Sequence, residues 1–293
     1  MLKSTPHCLR SDTTGLEIRS GAQDLIRQGL VRAREALSGR ERNREEVIHQ
    51  TRVDMKRLRA LWYLAQPGLS GNAHAALHDG SRTVARLLGD SRDRQVMHMT
   101  LATYVGALPG DVAQRLLAEF PSATGMVVET SLLEQVETGY RQLEAGLRGI
   151  AFSGVRRPHI RHALAVSFSK GRRGYRQAGD GKGEALHRWR KWSKALAYQL
   201  EWLGLTPGWG RSLKPLGACL GDIHDLDVLV ERLQVPAIRV TDRALLEPLL
   251  LASRRQQVQQ VLGQGRVLYA SRHSERRCRR LYRRWLETDG LMP

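Results

Sequence analysis

An all-α protein in two related halves is what this sequence predicts, and three features say so. Leu, Ala and Arg are abundant, Phe is limited to three residues and β-branched runs are scarce, a composition that favours helices. Gly and Pro punctuate the chain between long segments that contain neither pattern-breaking dipeptides nor strand-like alternation. Two short residue patterns recur, in the same order, in the first and second halves, the mark of an internal repeat.

The elements follow in order. Asp12-Thr13-Thr14 suits the cap of a helix over about 16–38, which Ser38-Gly39 ends, and Asn43 suits the cap of the next, which Pro67-Gly68 stops. Further helices are expected at about 72–106, 110–120, 130–150, 156–177, 183–203, 212–233, 241–263 and 265–287. The breaks carry Pro109-Gly110, Pro121, Gly154, Pro158, Gly179 to Gly183, Pro207-Gly208 and Pro236. Met126-Val127-Val128 has strand character, but a lone strand has no sheet to join. The organisation expected is a tail over 1–15, helical halves over 16–150 and 155–287, and a tail over 288–293.

Charge narrows the partners. The 293 residues hold 47 Lys plus Arg against 29 Asp plus Glu, a formal net charge of +18. The first 150 residues have 20 basic and 17 acidic side chains, the remainder 27 and 12, so most of the excess lies in the second half. Such an excess attracts phosphate-rich partners or anionic membranes. Arg far outnumbers Lys; its planar fork suits bidentate phosphate contact, although GC-rich coding produces the same bias. Cys8, Cys219 and Cys278 lie far apart, with neither a disulfide framework nor zinc-ligand spacing. No run approaches the roughly 18 apolar residues of a membrane span. A cytoplasmic protein without cofactor or metal is expected.

The recurring patterns carry the chemistry. His49-x-x-Arg52-Val53-x-x-Lys56 returns 138 residues later as His187-x-x-Arg190-Lys191-x-x-Lys194. Leu88-Gly89-Asp90-x-x-Asp93-x-x-Val96 returns 132 residues later as Leu220-Gly221-Asp222-x-x-Asp225-x-x-Val228. On a helix turning about 100° per residue, His49, Arg52, Lys56, Arg59 and Tyr63 share a sector of roughly 80°, and His187, Arg190, Lys191, Lys194 and Tyr198 one of roughly 100°. Cations three and four residues apart repel by a few tenths of a kcal/mol per pair, so an anion should face each ladder. Ile48, Met55 and Trp62 border the first stripe on one side, and Val53, Ala60 and Leu64 on the other. Apolar borders suit a groove better than an open charged surface. The second stripe has only Leu186 and Leu200 close by, and a solvated face stays open there. Neighbouring cations should hold His49 and His187 neutral until an anion arrives.

Asp222, His224, Asp225 and Asp227 look like a metal cluster, but the first half has Arg92 and Gln95 where the second has His224 and Asp227. The shared acids Asp90, Asp93, Asp222 and Asp225 are better read as partners that orient basic side chains. Further basic material lies at Lys170, Arg172, Arg173 and Arg176, and along the final segment at Arg272, Arg276, Arg279 and Arg283, with Arg57 beside the first ladder.

The paired His-x-x-Arg-x-x-x-Lys helices, each followed by a Leu-Gly-x-x-x-Asp segment, resemble the CHAD family over about residues 16–287. That resemblance implies two four-helix-type bundles related by a pseudo-twofold, with basic side chains lining a central channel or groove. It implies binding of inorganic polyphosphate and association with polyphosphate granules. Many family members are fused to a triphosphate tunnel enzyme domain, which nothing here resembles, so a standalone copy is expected. Carried over by position, the binding set is His49, Arg52, Lys56, Arg59, His187, Arg190, Lys191 and Lys194, with Tyr175 and Arg176 matching the aromatic-basic segment before the second motif. Ala195-Leu196-Ala197 is less basic than the family's second motif, which shifts weight to Arg172, Arg173, Arg276 and Arg283.

A non-catalytic polyphosphate-binding protein is therefore expected. A nucleic-acid binder is the alternative, disfavoured by few aromatics for base stacking and by the absence of a zinc-finger or RNA-recognition signature. A phosphohydrolase would want metal-holding carboxylates on the ladders or a Walker-type loop, and neither is present. A histidine phosphoacceptor at His49 or His187 is the remaining alternative.

Overall fold

In the computed structural model, residues 14–39, 44–122, 129–205, 210–270 and residue 280 are described. Among the described residues ten α-helices follow one another: α1 (Thr14–Leu37), α2 (Arg44–Ala65), α3 (Gly71–Leu87), α4 (Gly89–Ala102), α5 (Gly110–Glu119), α6 (Thr130–Arg148), α7 (Arg157–Gln177), α8 (Gly183–Trp202), α9 (Gly210–Arg232) and α10 (Val240–Gly265). Short 3-10 turns follow α2, α4 and α7, and a π-turn over Arg266–Ala270 follows α10. Among the described residues there is no strand. Met126-Val127-Val128, the expected cap residues Asp12, Thr13 and Asn43, and most of the segment expected as a last helix to 287 lie outside the described residues.

Helices α1, α2, α3 and α6 pack around one another, as do α7, α8 and α9, with α10 laid along α9. The two groups meet where α2 crosses α8 and α7, and again where α4 lies against α9. The main core runs without interruption from Ile18 of α1 to Tyr269 of the π-turn, through Trp62, Phe152 and Trp189. A smaller core joins Leu101, Val112 and Leu116 to Leu226, Leu229, Leu246 and Leu250. The halves thus share their hydrophobic interior, the chief source of stability for helices of this length.

One expected helix is two. The segment from 72 to 106 breaks at Leu88, whose backbone (φ −100°, ψ 10°) leaves the helical region before Gly89. The break frees the Leu88 carbonyl, which accepts a hydrogen bond from the Arg52 guanidinium. The matching Leu220-Gly221 lies inside the unbroken α9.

Each half seats a tyrosine against a glycine of its first helix. A Cβ on Gly29 would come within 2.2 Å of the Tyr140 ring, and one on Gly171 within 2.8 Å of the Tyr269 hydroxyl oxygen. Tyr140 donates to Asp54 at 2.8 Å, while the Tyr269 hydroxyl shares a 3.0 Å hydrogen bond with Ser193. Asp54 is 1% exposed and also accepts from Gln50 at 2.9 Å and from Arg32. This network ties α1, α2 and α6 together. Burial still raises the Asp54 carboxyl above the ordinary aspartate range, against the opposing pull of Arg32, Gln50 and Tyr140.

Replacing Tyr140 with Phe removes a donor from this buried carboxylate and is expected to lower stability by about 1–3 kcal/mol. Arg32→Leu leaves the charge without its counter-ion and is expected to cost about 3 kcal/mol or more. Urea denaturation followed by circular dichroism measures both.

Candidate functional site

The edges of α2 and α8 face one cleft. Their relative placement is set by contacts away from it: Gln199 donates from its side-chain amide to the Ala60 carbonyl at 3.3 Å, and Arg57 forms a 2.9 Å ion pair with Glu201. The apolar borders of the first ladder are largely buried, with Met55, Trp62 and Leu64 at 0% exposure and Ala60 at 1%, while Val53 is half-buried. Leu186 and Leu200 of α8 are buried likewise.

Arg52 and Lys56 from α2 and Arg190 from α8 line a cavity of about 280 Å³ together with Val96, Met97, His224, Asp225 and Val228. The Leu-Gly segments explain how the two arginines are set. Arg52 is tethered to the carbonyl freed at Leu88, and the Arg190 guanidinium lies across Gly221, where a Cβ would meet its Nη2 at 3.2 Å. Lys194 lays its methylenes over Gly217, with Cγ at 3.0 Å from the place of a Cβ. Larger side chains on that face of α9 would push both cations out of position.

Acids tune the cleft. Partial burial and the neighbouring Asp225 push the Asp222 carboxyl up, while Arg190 and Lys194 pull it down. Asp222 therefore sits in the field of two ladder cations, as an orienting partner should; the side chains of Asp90 and Asp93 lie outside the described residues. Asp227 turns to Arg254, which also donates to the Gly181 carbonyl at 2.8 Å. Among the described residues no group of three or more His, Cys, Asp or Glu side chains is placed to hold a metal ion.

The histidines differ. His49 is exposed at the start of its ladder. His187 stands 5.2 Å, ring to ring, from His224. Burial holds its imidazole below the ordinary histidine range, with smaller contributions from His224, Arg190 and Lys191. The expected direction holds, but desolvation leads and the neighbouring charges follow.

Not every predicted residue enters the cleft. Arg59 turns toward Tyr63 and Arg82 of α3. Lys191 places its ammonium 6.0 Å from the Tyr63 ring and 5.4 Å from Trp192. Tyr175 is half-buried against Trp189 at 5.3 Å and Tyr269 at 6.2 Å, a place in the aromatic core. Arg57 is engaged by Glu201. Arg173 and Arg176 are exposed on α7, where Arg172 is half-buried. Arg276 and Arg283 lie outside the described residues. Sequence reasoning missed His224 as a ring partner of His187 and missed Met97 and Val228 as the apolar floor. The recurrence of Val96 as Val228 was the available signal for the floor.

A second cavity, of about 290 Å³, is lined by Met97, Phe120, Pro121, Val235 and Ile238 with Arg94, Glu119 and Arg232. Its size matches the cleft, but its walls are largely apolar, so the chemistry of the linings separates the two.

The chain matches a family model described as CHAD domain over residues 24–207. Its fold is similar to that of the crystal structure of the CHAD domain from the plant Ricinus communis, with a TM-score of 0.53 at 16% sequence identity over 96% of both chains. No curated protein matches the sequence. No helix among the described residues is long and apolar enough to cross a membrane.

With burial and His224 both acting on it, His187 is expected to titrate below free histidine, and His224→Ala should raise its midpoint by exposing the ring and removing the neighbouring imidazole. Two-dimensional NMR of the imidazole groups across pH 4–9 reads both.

Proposed function

This chain belongs to the CHAD domain family, and on that premise we propose that it binds inorganic polyphosphate in the cleft between α2 and α8 and serves to target it to, or organise it within, polyphosphate granules. The observation that carries this reading is the meeting of Arg52, Lys56 and Arg190, from helices in different halves of the chain, on one cavity. Like charges a few ångströms apart near a protein surface repel by up to about 4 kcal/mol. A thread of phosphates offsets that repulsion and presents an oxygen to each donor. Lys194 and His187 extend the path along α8, and His49 extends it along α2.

Polyphosphate has no bases to read, so guanidinium forks and ammonium point charges suffice. The alternative of nucleic acid finds less support, because Trp62, Trp189, Tyr140 and Tyr269 are fully buried and cannot stack on bases. The role is that of a binding protein in the cytoplasm, with no chemical step assigned to the ladders.

Replacing Arg52, Lys56, Arg190 and Lys194 together with Gln is expected to remove most of the affinity for long-chain polyphosphate while circular dichroism shows helicity unchanged; unchanged affinity in that variant would overturn the reading. By analogy with single-stranded nucleic acid, the logarithm of the binding constant should fall with the logarithm of salt at a slope of about −0.7 per phosphate contact, so about −3 for four cations. Isothermal titration at two salt concentrations tests this. Affinity should also rise as pH falls. In the free protein His187 is held neutral, a bound anion raises its proton affinity, and proton uptake then accompanies binding over the interval between the two midpoints. Flat affinity between pH 8 and pH 6 would remove the histidines from the interaction.

A further inference from the structure

Helix α3 carries a ladder of its own. His74, His78 and Arg82 follow one another at intervals of four residues, which stacks them on one face. That face meets the end of α2, whose Tyr63 in turn packs against Trp192 of α8. Tyr63 of α2 shares a 3.2 Å hydrogen bond between its hydroxyl and His78 Nε2. Its ring centroid lies 6.0 Å from that of His74, 5.5 Å from that of His78 and 5.1 Å from that of Trp192. The two imidazoles are stacked at 5.9 Å.

Cations crowd this aromatic wall. Lys170 of α7 rests its ammonium 4.2 Å above Trp192, and Lys191 lies over both Trp192 and Tyr63. Arg59 reaches the same place from α2, half-buried, and the charged or polar neighbours that bear on its ionisation are Tyr63 and Arg82, with no carboxylate among them. A guanidinium withdrawn from water beside a second guanidinium is unfavourable unless an anion joins it. Asp79 stands nearby, 70% exposed and 3.5 Å from His78 Nδ1. His74 Nε2 is buried with no hydrogen-bond partner.

We propose that the α2–α3 seam is a second oxyanion site, separate from the cleft, in which Arg59, His74, His78 and Arg82 take one phosphoryl group of a condensed phosphate while Lys191 closes over it from α8. The existence of the site stands on the seam alone; the choice of phosphate as its ligand rests on the reading of the cleft. Binding there is proton-coupled. The groups that bear on His74 are His78 and Asp79 on α3, with the Tyr63 ring of α2 at 6.0 Å; Arg59 and Arg82 act on one another and on Tyr63, and Lys191 of α8 lies over that same Tyr63 ring. Burial, followed by His78, holds His74 below the ordinary histidine range against the weaker pull of Asp79. An anion between the imidazoles and Arg59 reverses that balance, so the ring gains a proton as the ligand arrives.

The test uses the full chain and tripolyphosphate in isothermal titration at pH 6 and pH 8. In a variant with the cleft disabled, Arg52, Lys56, His187, Arg190 and Lys194 all replaced with Gln, one tripolyphosphate is expected to remain bound, at least threefold tighter at pH 6. Adding His74→Gln and His78→Gln should remove that pH gain, and adding Arg59→Gln should weaken the remaining binding at least tenfold. In the unsubstituted protein, NMR should show the His74 imidazole midpoint rising when tripolyphosphate is added, a readout that needs no variant to fold. The inference is overturned if the cleft-disabled variant binds no tripolyphosphate, or if neither the seam substitutions nor the His74 midpoint responds. That failure is distinct from failure of the cleft reading, in which the unsubstituted chain binds no long-chain polyphosphate.

Discussion

Cations from two helices are held on one cavity against their own repulsion, and most of the architecture serves that arrangement. Arg52, Lys56 and Arg190 would separate if their backbones were free, since each gains by moving into water. What prevents it is the burial beneath them. The core that joins the halves is continuous from α1 to the π-turn, and α2 cannot retreat from α8 without opening it. The Arg32–Asp54–Tyr140 network pins α2 from behind, and the Ser193–Tyr269 pair pins α8. A buried ion pair is weak evidence for net stability but strong evidence for fixed position, because breaking it strands a charge.

The same logic explains the small residues near the cleft. A guanidinium needs room to lie flat and an acceptor to hold it. In the first half the helix breaks at Leu88 and its carbonyl becomes that acceptor. In the second half α9 runs on, and Gly221 supplies space over the backbone instead. Two related segments thus position two related arginines by different means, one through a freed carbonyl and the other through a missing side chain.

Each ladder divides its members between surroundings. Along α2, Arg52 and Lys56 enter the cleft while Arg59, less than a turn further on, turns to α3. Along α8, Arg190 enters the cleft while the adjacent Lys191 covers the aromatic wall of Tyr63 and Trp192. The imidazoles of His74 and His187 both titrate below their ordinary range, and in both cases desolvation leads and neighbouring charge follows.

Much of this was legible in the residues alone, and the division has a physical cause. Helix positions follow from local chemistry, so Gly and Pro marked most of the breaks, including Gly39 and Gly181 with their positive φ values. The angular sector of each ladder follows from helical geometry, and the recurring Leu-Gly segment pointed to the residues that support the arginines. A wheel fixes a side chain's direction around its own axis but says nothing of what lies across from it. Only packing decided that Arg59 leaves the cleft, that Tyr175 joins the aromatic core, and that Tyr63 of α2 meets Trp192 and Lys191 of α8. Those contacts join residues over a hundred positions apart in the chain, and they arise from the burial of a shared core, which no local pattern records.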